Sequence, residues 1–117
     1  LFPSLFRSGA PQAEIAAVLA MAATAKTPGM IAALKAMRSR PDRTGVLGHL
    51  NRPVLIAAGR FDTLIPVQSL MEQASAGNLV QIEILEHSAH MGLLEEKEKA
   101  ALILDNFTKL CFHMLPK

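Results

Sequence analysis

Pro53-Val54-Leu55-Ile56-Ala57-Ala58-Gly59-Arg60-Phe61-Asp62-Thr63-Leu64-Ile65-Pro66 is the stretch that decides how this chain folds. Its first seven residues form a short apolar run bounded by turn formers, the pattern of a strand buried on both faces. The loop beyond carries one carboxylate, Asp62, away from the strand's carboxyl end, and in open α/β sheets ligands and chemistry collect at that edge. A second strand-like run, Val80 to Leu85, leads through Glu86-His87-Ser88-Ala89 to His90. An acid and an imidazole are therefore expected to leave two strands at one edge.

Between the two strands, Pro66 is suited to open a helix whose buried face is Val67, Leu70, Met71 and Ala74, with Gly77 as its stop. Strand, helix, strand is a βαβ unit, so the strands should be parallel and the crossover right-handed. In the second strand Val80, Ile82 and Ile84 alternate with Gln81 and Glu83, which suits a strand at or near the sheet edge. A last helix is expected from about Leu94 to Met114, with Ala100, Ile103, Leu104, Phe107, Leu110 and Cys111 on its apolar face. Glu95, Glu96 and Glu98 crowd its first turn, where the helix dipole favours acids.

Upstream of the first strand the pattern is helical. Residues 1 to 10 read as an irregular lead-in broken by Pro3 and Ser8-Gly9. Pro11 then starts a helix with Ile15, Val18, Leu19 and Ala22 in a stripe, and Thr27-Pro28 starts another, with Thr27 as N-cap. Met30, Ile31, Leu34 and Met37 form the apolar face of this second helix, which ends before Pro41. A short turn or helical segment through Val46, Leu47 and Leu50 leads into the first strand. The chain thus divides into a helical segment, 1–45, and an α/β segment, 46–117.

Half of the 117 residues are apolar, enough for one domain's core, although five Phe and no Trp or Tyr leave the filling to aliphatic residues and Met. The formal charge of +2 is small and interspersed, which argues against a nucleic-acid partner; Arg38, Arg40 and Arg43 read as a solvated helix end. The single cysteine, Cys111, makes no internal disulfide and fits a cytoplasmic setting. The longest uncharged apolar run, Ile15 to Thr24, is too short to span a bilayer, so no membrane partner is expected. His87 and His90 form His-x-x-His, but without a third ligand nearby they do not make a metal site.

Residues 50–66 resemble the acid-bearing segment of the α/β-hydrolase family. The run Leu85-Glu86-His87-Ser88-Ala89-His90-Met91-Gly92-Leu93-Leu94-Glu95-Glu96 is similar to its histidine segment, including the acid several positions later and the closing helix. The separation of 28 residues between Asp62 and His90 suits one crossover helix and one strand. The resemblance covers roughly residues 41 to 112, and the two helices before it look like part of the family's variable helical cap. It implies that Asp62 orients His90, which acts as general base and then general acid on a small ester, lactone or related substrate. Met91 and Met30 are the residues it suggests for lining the substrate pocket. No metal or organic cofactor is implied.

The resemblance also implies a residue that this chain does not supply. The family's nucleophile sits on a Gly-x-Ser-x-Gly turn, and Ser4, Ser8, Ser39, Ser69, Ser75 and Ser88 all lack paired flanking glycines. Family order places the nucleophile before acid and histidine, so it is expected upstream of Leu1, in an N-terminal half that would also complete the sheet. A smaller departure is Ala89, where many relatives have Gly before the histidine. A self-contained interaction domain that dimerises through its sheet edge is the rival reading, and a homo-oligomer is compatible with either.

Overall fold

The computed structural model describes residues 2–114, so Leu1 and residues 115–117, at the outer ends of the two expected segments, lie outside it. The apolar run folds as strand β1 (Val54–Gly59), and the alternating run folds as β2 (Val80–Leu85). They pair in parallel from Val54 opposite Val80 to Gly59 opposite Leu85, a sheet of two strands among the described residues. Helix α4 (Val67–Ser75) is the crossover and packs on both strands, as the βαβ pattern requires.

Upstream lie α1 (Gln12–Ala23), α2 (Thr27–Arg38) and the short α3 (Thr44–His49), which packs on α4. Pro11 stands just outside α1, where its missing N–H costs nothing. Thr27 is already inside α2, with Lys26 at the N-cap and Pro28 as the second helical residue, where the missing N–H has no intrahelical acceptor to lose. The lead-in contains a 3₁₀ turn, Phe2–Leu5, and Gly9 alone among the described residues has a positive φ, 83°. That left-handed turn sends the chain back toward α1.

Two expectations about helix ends change. Gly77 is no left-handed cap; it is small because a β-carbon there would stand 2.3 Å from the Val80 side chain. The last helix is broken in two, α5 (Gly92–Glu95) and α6 (Lys97–Met114), where Glu96 leaves helical geometry at φ −129°, ψ 58°. The break has a physical cause, since the Glu96 side chain turns toward the loop before α5.

The core is small and off-centre. Ala58, Leu85, Ala89, Ala100 and Ile103 are buried at the carboxyl end of the sheet and against α6, together with Phe6 and Ala10 from the lead-in. Lys99 on α6 donates to the Ile84 carbonyl at 2.7 Å, and Lys97 pairs with Glu14 of α1. By contrast the expected apolar face of α2 is uncovered: Leu34 is 64 % exposed and Met37 70 %. No single helix among the described residues is long and apolar enough to cross a membrane, although α1 and α2, bent by 104° to each other, together pass on length and composition.

Candidate active site

The sheet ladder does not stop at the strand ends, and its continuation builds the site. Beyond β1, the Arg60 N–H donates to the Leu85 carbonyl and the Phe61 N–H to the Ser88 carbonyl, both at 2.9 Å. These bonds stitch the acid loop to the histidine loop. Gly59 makes the close approach possible, because a β-carbon on it would lie 1.9 Å from the Ala89 oxygen. Above the seam, the Arg60 guanidinium makes a two-pronged pair with Glu86 at 2.7 and 2.8 Å.

Within the acid loop, one oxygen of Asp62 accepts the N–H groups of Leu64 and Ile65 at 2.8 and 3.0 Å, an Asx turn that aims the carboxylate. Its other oxygen lies 2.8 Å from Nδ1 of His90. The Asp62 side chain is only 8 % exposed and that of His90 33 %, so the pair is sheltered at the carboxylate and open at the ring. Burial pushes the Asp62 carboxyl up, but the Ile65 N–H, the His90 ring and the Leu64 N–H together hold it below its usual value. An ionised carboxylate has no proton to give, so Nδ1 of His90 is the donor, and in the neutral ring that leaves Nε2 as the acceptor. That is the tautomer a general base needs.

The histidine loop is held from below by two acids. One Glu96 oxygen accepts both the His87 N–H at 2.8 Å and the hydroxyl of Ser88 at 2.5 Å, and Ser88 is fully buried. Burial pushes the Glu96 carboxyl up, yet these two donors and the nearby Lys99 hold it below the usual range. Glu95 accepts the Ala89 N–H at 2.9 Å with one oxygen and the Arg7 N–H at 2.6 Å with the other. The Met91 N–H donates to the Leu5 carbonyl at 3.1 Å. The lead-in is thereby fastened to the residues on both sides of His90.

Sequence reasoning assigned Glu95 and Glu96 to a helix dipole, whereas the structure uses them as acceptors for the loop; their place after the histidine was the available signal. The lead-in had no signal at all. Ala89 has negative φ and is buried, so the alanine before the histidine fits without strain. Met91 follows His90 at the start of α5, half-buried, and Met30 lies on α2, 48 % exposed. A cavity of about 500 Å³ does border the acid loop, but its walls are Ser4, Phe6, Arg7, Ser8, Phe61 and Thr63, and neither Met30 nor Met91 is among them. Among the described residues no group of three His, Cys, Asp or Glu side chains is placed to hold a metal ion.

No family model matches this chain, and no curated protein matches it by sequence. Among solved structures it is similar to an esterase (EaEST) from Exiguobacterium antarcticum, with a TM-score of 0.80 at 22 % identity, over 92 % of this chain and 40 % of that one. The likeness shows the fold alone: helices with a parallel two-strand sheet, an α/β arrangement like part of that esterase. The chain spans less than half the length of the esterase it matches.

Proposed function

We propose that this chain supplies the acid and the base of a nucleophile–His–Asp triad that hydrolyses a small ester, lactone or related substrate. The observation that carries the reading is the 2.8 Å contact between Asp62 and Nδ1 of His90, made by loops at the carboxyl ends of two adjacent parallel strands. Asp62 holds the ring and its tautomer; His90, through Nε2, takes the nucleophile's proton and later gives it to the leaving group. The nucleophile and the amides that stabilise the oxyanion come from polypeptide preceding this chain, which also pairs with the free edge of β1. On this reading the 117-residue chain is inactive alone, since loss of the nucleophile and of oxyanion donors removes most of the rate.

The test is hydrolysis of 4-nitrophenyl acetate by the 117-residue chain and by the same chain joined to the polypeptide encoded directly upstream. The expected result is no turnover by the first and turnover by the second that disappears in His90→Ala. Turnover by the chain alone, sensitive to His90→Ala, would place the nucleophile within it and overturn that part of the reading.

The edge of β1 away from β2, unpaired among the described residues, also favours a second reading, an interaction domain whose two copies pair edge to edge. That reading expects a cooperatively melting dimer in light scattering with no upstream polypeptide. A dimer that also gains His90-dependent turnover on addition of the upstream half returns the assignment to the hydrolase.

A further inference from the structure

We propose that Glu95 is a positioning residue for His90: its carboxylate ties the lead-in of the helical segment to the histidine loop, so that the seat of the lead-in sets the place of the base. One oxygen accepts the N–H of Ala89, the residue before His90, at 2.9 Å, and the other accepts the Arg7 N–H at 2.6 Å. On the far side of the base, the N–H of Met91 donates to the Leu5 carbonyl at 3.1 Å. Residue 5 directly and residue 7 through Glu95 therefore bracket His90. The consequence for turnover rests on the hydrolase reading; the hold on His90 does not.

Both sides of the bracket are seated in packed structure. Phe6, between the two gripping residues, is buried, and so is Ala10 beyond them. Glu95 stands on α5, whose first residue, Gly92, lies so near the buried Leu85 that a β-carbon there would meet its side chain at 2.6 Å. Lys97 of α6 pairs with Glu14 of α1, a second tie between the same two parts of the chain. Among the described residues Glu95 makes no ion pair, so its carboxylate serves as a double acceptor. Two backbone donors on opposite oxygens require that group, because a glutamine amide offers one acceptor and turns its NH2 against the second N–H. An N–H left unaccepted in this half-buried seam is costly, so the loop or the lead-in must shift. The 2.8 Å contact of His90 with Asp62 joins the histidine loop to the acid loop, and a shift of one loop alone lengthens it.

The experiment uses two changes that keep side-chain volume: Glu95→Gln, and an ester in place of the Phe6–Arg7 amide, which replaces the Arg7 N–H by an oxygen. In the 117-residue chain the His90 Nδ1–H resonance reports the contact with Asp62 without turnover, and melting curves show that each variant is folded. Joined to the upstream polypeptide, the same variants are assayed on 4-nitrophenyl acetate. Each is expected to shift or lose the resonance and to lower kcat about tenfold to a hundredfold with KM within about twofold, the pattern of a displaced base. The two changes combined should cost less than the product of their single effects, because they cut one link. An unmoved resonance in folded Glu95→Gln, fully multiplicative effects, or a loss confined to KM would overturn the proposal. A resonance that moves in a chain that never gains turnover keeps the bracket and removes the hydrolase reading, whereas His90-dependent turnover that Glu95→Gln leaves unchanged does the reverse.

Discussion

Gly59 and Ala89 touch through their backbones: the end of β1 passes so near the histidine loop that a β-carbon at residue 59 would stand 1.9 Å from the Ala89 oxygen. Because Ala89 precedes His90 and Gly59 lies three residues before Asp62, this contact sets the distance between acid and base. Gly59→Ala must push the two loops apart. The expected cost is about 1–3 kcal/mol, the usual range for overpacking, together with loss of the Asp62–His90 contact. Urea unfolding gives the first, and the His90 Nδ1–H resonance reports the second.

Glu96 offers a sharper test of what holds the histidine loop. In Glu96→Ala the buried Ser88 hydroxyl and the His87 N–H lose their acceptor, at a cost of about 2–3 kcal/mol. Adding Ser88→Ala to that background should recover part of the loss, because removing both partners leaves one fewer polar group unpaired. Strictly additive losses in the double-mutant cycle would show that the two side chains act independently.

Acid should weaken the fold through these same carboxylates. Asp62 and Glu96 both sit below their ordinary values of 3.8 and 4.5 in the folded chain, so the unfolded chain binds protons more readily than the folded one. Their contribution is fully present above those ordinary values and is lost as pH falls through the lower folded ones. Asp62→Asn and Glu96→Gln should each flatten the acid limb of a stability–pH curve and leave its neutral plateau parallel to that of the parent. An unchanged acid limb in both variants would contradict the assignment.

The Arg60–Glu86 pair, despite its good geometry, has side chains 44 % and 47 % exposed. Water and salt screen such a pair, so Arg60→Ala should shift the melting temperature only slightly, and the shift should vanish at high ionic strength. A large, salt-independent shift would mean that the pair is a structural clamp on the two loops in its own right.

The sequence alone determined the strand–helix–strand order, the parallel pairing and that Asp62 and His90 leave the two strands at one edge. Each depends on local signals that survive in one dimension: the apolar run 53–59, the alternation in 80–85, and the prolines that open the helices. The resemblance to α/β-hydrolases rests on those same residues, and the esterase-like fold agrees with it.

What the chain could not reveal in one dimension was how its loops are held together. The break at Glu96 and the grip of Glu95 and Glu96 on the histidine loop are side-chain to backbone bonds, for which hydrophobic periodicity carries no signal. The lead-in joins the site through an 88-residue separation, from the Arg7 N–H to Glu95, and a contact so distant leaves no spacing to read. Local propensity therefore decided that Asp62 and His90 leave the ends of two strands, and only tertiary packing decided that Arg7 and the neighbours of Asp62 line one cavity.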